Sequence, residues 1–332
     1  MKYLWCFVIL TYSSLVLSNN NKGKKTTSSS QPEPNIIEID LAAQNTLKEV
    51  AISSSDNPTS SRISDAIPSK KFCGLQHTDD RIYTETDTAL DEFPWLVDIV
   101  HQDNISICPG VLISNQFVLT GYGCGLFSYK VRLGLYHTKQ DITCVVESNI
   151  EECSDPVVEV NVEKEMYTNA KGEIALLKLV EGISYSEYIR PVCLPTEESI
   201  RPTYGSEVVA SGWGKNVEDA KGSSKKRLLF KLQTPQECKT LDRSTQIISN
   251  SDEFCFISEE DRNDIGCIDD YGGPIMYTHR HQWYVEGILV GPYNRNMTYG
   301  YCSESVKPIY GKKITTEILN WIIRTVSSQS LV

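Results

Sequence analysis

Basic residues are in short supply: 32 Lys and Arg stand against 43 Asp and Glu, for a net charge of −11. A nucleic-acid partner needs a basic face to displace counterions, and these totals argue against one. Beyond Leu17 no stretch is both long and apolar enough to span a bilayer, so the remainder of the chain is expected to have no membrane span. No Cys-x-x-Cys pair and no Cys/His cluster with zinc spacing occurs, so a metal site of that kind is not expected. Histidine is rare; His77, His101, His137, His279 and His281 are all there are, and each reads as a loop or surface residue. From Asn19 to Lys71 there is no cysteine, and Pro32, Pro34, Pro58 and Pro68 interrupt a run rich in Ser, Thr, Asn and Lys. Such a stretch buries too little apolar area to offset its chain entropy and is expected to be disordered. Within it, Ile36–Ile52 is apolar enough for a short helix or strand on a partner, or for transient structure without a role.

What is present begins with a leader. Lys2 is followed by the apolar run Leu4–Leu17 and a small residue, Ser18. Residues 1–18 therefore read as a secretory signal cut near Ser18 and Asn19; the alternative, a membrane anchor, is short of the ~20 apolar residues a span needs. Of eleven cysteines, Cys6 leaves with the leader, and the other ten lie at or beyond Cys73. An even number in an exported chain implies five disulfides, whose pairing the count leaves open.

From Cys73 to the end of the 332 residues, short apolar runs alternate with turn residues. They are Trp95–Val100, Gly110–Leu112, Phe117–Thr120, Lys130–Leu135, Ile174–Val180, Glu207–Ser211, Leu228–Leu232, Trp283–Val290 and Pro308–Lys312. This pattern predicts an all-β sandwich or barrel. Ile318, Leu319, Ile322 and Ile323 share a helical stripe near the C-terminus, with Trp321 and Val326 at its edges, which predicts an amphipathic helix.

An ordered set of motifs runs through the same region: Glu92-Phe-Pro-Trp95, Val118-Leu-Thr-Gly-Tyr-Gly-Cys124, Val131-Arg-Leu-Gly134, Glu173-Ile-Ala-Leu-Leu177, Arg190-Pro-Val-Cys-Leu-Pro195, Ser211-Gly-Trp-Gly214 and Cys267-Ile-Asp-Asp-Tyr-Gly-Gly-Pro274. Together with Lys307-Pro308 and Trp321, these resemble the trypsin-like domain of arthropod extracellular protease cascades, most closely the easter-type clip-domain proteases. The resemblance covers residues 73–332, after a segment 19–72 that holds no cysteine-rich clip domain. It implies an all-β, chymotrypsin-like fold: two six-stranded β-barrels and a C-terminal α-helix, with the family's active site in the cleft between barrels.

The same motifs depart from the family where its chemistry resides. Gly123 stands at the position of the histidine base, Glu173 at that of the orienting aspartate and Tyr271 at that of the nucleophilic serine. Glycine cannot accept a proton, and a phenol with a pKa of about 10 is a poor nucleophile at neutral pH. Triad members act as a unit, so no catalytic residue is expected. Asp269 falls where the oxyanion hole needs a backbone N–H undisturbed by negative charge. Ile265 replaces the pocket aspartate, and Val290-Gly291-Pro292 replaces the segment that hydrogen-bonds substrate backbone; Pro292 has no N–H to give. Arg81-Ile82 remains a candidate activation bond, with Asp270 as the partner of the freed terminus. Thr84-Glu85 occupy the place of two flexible glycines, which opposes that insertion.

The resemblance also pairs Cys73 with Cys193, Cys108 with Cys124, Cys238 with Cys255 and Cys267 with Cys302, leaving Cys144 and Cys153 to close an extra loop. The first of these would tether the N-terminal segment after a cut at Arg81. Asn104-Ile-Ser and Asn296-Met-Thr are glycosylation sequons. No cofactor is expected, although the acids from Asp141 to Asp155 lie near a loop that holds calcium in relatives; a solvated acidic loop is the alternative. Lys225-Lys-Arg227 reads as a solvated surface loop or an attractor for a partner. The function implied is that of a secreted, inactive serine protease homologue that binds proteases, zymogens or inhibitors as a cofactor, adaptor or decoy in an immune cascade. An endopeptidase with unconventional chemistry and a microbial-surface recognition protein are the alternatives.

Overall fold

Strands β1 (Leu96–Val100), β2 (Ser106–Leu112) and β3 (Phe117–Gly121) follow one another as antiparallel neighbours, and a four-residue helix α1 (Tyr122–Gly125) leads to β4 (Lys130–Leu133). After a separate hairpin of β5 (Cys144–Glu147) and β6 (Ile150–Cys153), β7 (Val158–Thr168) and β8 (Ile174–Leu179) complete a closed barrel in the order β1-β2-β3-β8-β7-β4. Closure leaves the barrel no open edge. A second closed barrel follows, built from β9 (Glu207–Gly212), β10 (Lys226–Gln233), β11 (Glu253–Ile257), β12 (Pro274–His279), β13 (Gln282–Leu289) and β14 (Ile309–Lys313). Helix α2 (Pro235–Leu241) lies between β10 and β11, and α3 (Thr316–Gln329) ends the fold.

The computed structural model describes residues 67–76, 88–147, 149–214, 224–241, 252–257, 270–290 and 309–330. All belong to one compact unit, Ser55–Val332. The leader 1–18, most of the segment 19–72, the Arg81-Ile82 bond, Ile265, Cys267, Asp269, Gly291, Pro292, Asn296 and Cys302 lie outside the described residues.

Strands β1, β3 and β8 of the first barrel are buried along their whole length because both of their faces are covered. Its core (Val97, Ile99, Val111, Phe117, Leu119, Leu133, Leu176 and neighbours) is continuous with Met276, Val285 and Ile288 of the second barrel. The indole N–H of Trp95 points at Met276 Sδ across 2.9 Å. A smaller core of Phe230, Phe254, Phe256 and Ile275 fills the second barrel. Helix α3 starts where the Thr315 side chain accepts the Ile318 N–H, and it buries Ile318, Leu319, Ile322 and Val326. Val326 is therefore at the centre of the buried stripe rather than its edge, one turn beyond Ile322 on the same face. Arg201, itself buried, ties this end down: it pairs with Glu286 at 3.1 Å and donates to Ile314 O at 2.7 Å. Disulfides join Cys73–Cys193, Cys108–Cys124, Cys144–Cys153 and Cys238–Cys255.

Two expectations from sequence are corrected. Several strands were missed, above all β7, whose residues VEVNVEKEMYT are half exposed and charged because one face looks to solvent. The Lys225-Lys-Arg227 run is not a solvated loop. Lys226 and Arg227 open β10, and the Lys225 side chain is buried, its ammonium 3.2 Å from Leu90 O and 5.8 Å from the centre of the Tyr136 ring. Arg227 reaches Glu92 at 3.4 Å, and the Thr88 hydroxyl donates to Lys225 O at 3.0 Å. The run clamps the segment Thr88–Glu92 to the second barrel.

Burial pushes the Lys225 ammonium down to about 8, against the opposing charges of Glu92 and Asp91. Between that value and the unfolded lysine value of about 10.4, the unfolded chain holds the extra proton, so stability rises with pH across this window. Urea unfolding between pH 7.5 and 10 is expected to show that rise, at most on the order of 3 kcal/mol. Lys225→Met is expected to flatten it.

Candidate functional site at the junction of the barrels

The site forms where the loop Asp270–Gly273 lies against the end of β3 and the start of α1. The Thr120 hydroxyl sits 3.1 Å from Pro109 O and 3.2 Å from Gly272 O, joining the two barrels at one point. Gly272 has φ +91°, and a Cβ there would stand 2.6 Å from both Cys124 Sγ and Thr120 Oγ1. Only glycine meets both demands. The Cys108–Cys124 disulfide holds α1 in place, and Cys124 Sγ packs 3.3 Å from Tyr271 O.

On this frame the Tyr271 ring lies over Gly121 and Gly123. A Cβ at Gly121 would come within 3.0 Å of Tyr271 Cε1 and Cζ, and a Cβ at Gly123 within 3.5 Å of Cε1 and 3.6 Å of the phenol oxygen. A methyl group at the first distance would force the ring to give by a few tenths of an ångström, and at the second the Cβ itself would make an ordinary contact with the ring. The phenol therefore occupies space that a side chain on position 123 would need. Tyr271 is packed against the main core as a partly buried residue.

Glu173 immediately precedes β8, placed by its own N–H on Asn169 Oδ1 at 2.8 Å and by its carbonyl, which accepts the Tyr122 N–H at 3.1 Å. Among the described residues its carboxylate meets no imidazole. It meets Lys312 of β14 at 2.6 Å, and the same ammonium meets Glu253 of β11 at 2.6 Å. Glu173 Oε2 is buried without a hydrogen bond among the described residues. Burial disfavours the charge on Lys312, yet hydrogen bonds to Glu173 and Glu253 and their negative charges outweigh it, and the ammonium's pKa is raised. Its contribution to stability is complete below the unfolded lysine value and is lost only as pH climbs through the higher folded one. Lys312 was missed in the sequence, where nothing marks it among the lysines around Tyr310.

Asp270 is buried, and its Oδ1 accepts the backbone N–H groups of Trp213 at 3.2 Å and Gly214 at 3.3 Å. A side chain at Gly212 would collide with that carboxylate, which accounts for the first glycine of the Ser-Gly-Trp-Gly motif. Val290 is half-buried at the end of β13, its N–H bonded to Tyr310 O at 3.2 Å. The described histidines lie elsewhere. His101 is on the β1–β2 turn beside Asp103, His137 follows Tyr136, and His279 and His281 are at the β12–β13 turn.

A family model described as Trypsin matches residues 82–316. The chain belongs to the trypsin family. Among similar proteins, this trypsin-family chain is 30% identical over 242 residues to CLIP domain-containing serine protease B9 of Anopheles gambiae, covering 67% of this chain and 59% of the relative. It is 31% identical over 247 residues to Serine protease 7 of Drosophila melanogaster, covering 67% and 61%. It is 27% identical over 282 residues to Phenoloxidase-activating enzyme 1 of Spodoptera litura, covering 78% and 70%. The matches thus span about three-fifths of the length of the first two relatives. The crystal structure of the Drosophila Grass clip serine protease of the Toll pathway superposes with a TM-score of 0.64 at 21% identity, over 83% of this chain and 79% of that one. That likeness establishes the shared double-barrel fold.

Two further sites can be placed. Asn104, in a left-handed turn with φ +65°, is exposed, and its Oδ1 accepts from Arg132 at 3.0 Å. In the acidic loop, Cys144, Glu151 and Cys153 come together, but the two sulfurs share a disulfide, and Asp141 Oδ1 accepts the Val157 N–H at 3.1 Å. No helix among the described residues is long and apolar enough to cross a membrane.

The packing of Tyr271 on Gly121 is testable by a double-mutant cycle. Gly121 has φ −74°, which alanine adopts freely, so the backbone adds no penalty. Gly121→Ala alone is expected to cost about 1–3 kcal/mol by overpacking. In a Tyr271→Ser background the same change is expected to cost less than ~0.5 kcal/mol, a coupling that urea unfolding reads directly.

Proposed function

We propose that this chain is a secreted, non-catalytic member of the trypsin family that acts by binding proteins of an extracellular protease cascade. The observation that carries the proposal is the Tyr271 ring seated over Gly121 and Gly123, where a base and a nucleophile would have to meet. A nucleophile and its base must come within about 2.6–3.2 Å of each other. Here the position facing the phenol has no side chain at all. The acid that would orient a base is held by Lys312 instead.

The pocket side supports the same reading. Val290 offers only an apolar side chain, and its N–H is already used in the sheet by Tyr310 O. Asp270 accepts the Trp213 and Gly214 N–H groups of the second barrel. What persists is the scaffold: two closed barrels, their shared core and four disulfides. A retained scaffold without proton-transfer groups serves recognition. Similar proteins carry names such as Phenoloxidase-activating enzyme 1 of Spodoptera litura and Spaetzle-processing enzyme of Drosophila melanogaster. By that likeness, the partners proposed for this chain are proteases, zymogens or inhibitors of an insect immune cascade, with the chain serving as cofactor, adaptor or decoy.

Reaction with a fluorophosphonate probe tests the chemistry. The purified protein, both uncut and after cleavage at Arg81, is expected to remain unlabelled and to hydrolyse no arginyl peptide above the buffer rate. Stoichiometric labelling of either form would overturn the non-catalytic reading.

A further inference from the structure

Four disulfides lie among the described residues, and three of them are sealed in the body. Cys73, Cys193, Cys108, Cys124, Cys238 and Cys255 are between 0% and 7% exposed. Cys144 and Cys153 are the exception, for both are exposed. A disulfide exchanges only with a thiolate that can reach one of its sulfurs, so access separates this bond from the other three.

The bond also sits where its loss stays local. The β5–β6 hairpin is a two-stranded sheet outside both barrels. Its strands are four residues each, and Cys144 stands directly opposite Cys153 in the ladder. A two-stranded hairpin on its own is marginal in water, and here the disulfide closes it at the base. Below the bond the flanking chain is held by other means. Ser154 N–H donates to Thr143 O at 2.9 Å, Thr143 N–H to Ser154 Oγ at 3.1 Å, and Val157 N–H to Asp141 Oδ1 at 3.1 Å. The Tyr188 hydroxyl donates to Cys153 O at 3.1 Å. Opening the bond therefore releases the outer part of the hairpin while its foot stays on the body.

One charge stands beside the sulfurs. Glu151 and Cys153, two residues apart on β6, share a face, and a carboxylate oxygen of Glu151 and the two sulfurs all lie within 4.8 Å of one another. Thiol–disulfide exchange brings one thiolate in and expels another. A carboxylate at this distance opposes both, most strongly at low salt.

We propose that Cys144–Cys153 is a reversible redox modification site, opened by an external dithiol, with Glu151 setting the rate. One thiolate of the dithiol attacks Sγ of Cys144 or Cys153; the S–S bond breaks and the other cysteine leaves as a thiolate. The second thiol of the dithiol, once deprotonated, attacks its partner sulfur in the mixed disulfide and releases the remaining cysteine. Two electrons and two protons pass to the protein as a pair of cysteine thiols, and the dithiol becomes a cyclic disulfide. Reduction turns the hairpin from a fixed sheet into a loose loop, and reoxidation restores it. No residue of the Tyr271 site takes part, so the proposal goes beyond the non-catalytic reading and is independent of it.

Dithiothreitol is the probe, added to the folded full-length protein, with samples quenched by N-ethylmaleimide and labelled cysteines located by peptide mass spectrometry. Cys144 and Cys153 are expected to be labelled about 10-fold or more faster than the six cysteines of the three buried bonds. Hydrogen exchange is expected to rise in residues 144–153 and to stay unchanged in the strands of both barrels; reoxidation with oxidised glutathione returns the original pattern. Cys144→Ser with Cys153→Ser is expected to show the exchange pattern of the reduced protein. Glu151→Gln is expected to speed reduction about 3-fold at low ionic strength, a gain that shrinks as salt is added. Labelling of any buried pair first or at the same rate, or an exchange rise that spreads into either barrel, would overturn the site. A Glu151→Gln rate equal to the parent's would overturn the role given to Glu151.

Discussion

The loop Asp270–Gly273 can touch the end of β3 only because Gly272 carries no side chain and takes a left-handed φ. That single close approach brings the second barrel against the first, with the Thr120 hydroxyl between the carbonyls of Pro109 and Gly272. Both barrels contribute to one continuous core around the same place, from Trp95 and Leu119 on one side to Met276 and Ile288 on the other. The residue that follows Asp270 is thereby delivered over α1. In this chain that residue is Tyr271, whose ring covers Gly121 and Gly123.

A buried ion cluster provides the second tie. Lys312 draws Glu173 from the first barrel and Glu253 from the second to one ammonium. Removing a lysine and Glu253 from water, and most of Glu173 with them, is expensive, so the cluster is weak evidence of net stability. What the cluster fixes is Glu173, directed across the barrel junction. Beside it, the partly buried Tyr271 ring fills the space over Gly121 and Gly123.

Much of the fold was legible because its determinants are local. The apolar runs of β1, β3 and β8 and the stripe of α3 announce themselves by periodicity and length, and ordered motifs supply the topology that periodicity cannot. Strand β7 was invisible for the opposite reason: its charged residues satisfy water on one face, and only pairing with β4 and β8 makes it a strand. Lys225 was misread since a lysine beside another lysine and an arginine normally points outward, whereas here Leu90 O and the Tyr136 ring receive it. At the site, Gly123, Glu173 and Tyr271 could be located from their neighbours in sequence. The contact between Gly121 and Tyr271 and the capture of Glu173 by Lys312 span well over one hundred residues, and no local pattern encodes them.

The grip of Lys312 on Glu173 makes the consequences of substitution at this junction interdependent. An imidazole placed at position 123 meets the phenol first; clearing the phenol still leaves Glu173 paired with an ammonium that also neutralises Glu253. A long side chain at position 123 therefore requires the Tyr271 ring to move, and Glu173 can turn toward it only by leaving Lys312. The packing at this junction thus ties positions 123, 173, 271 and 312 into one unit, in which a replacement at any one of them changes what the other three tolerate.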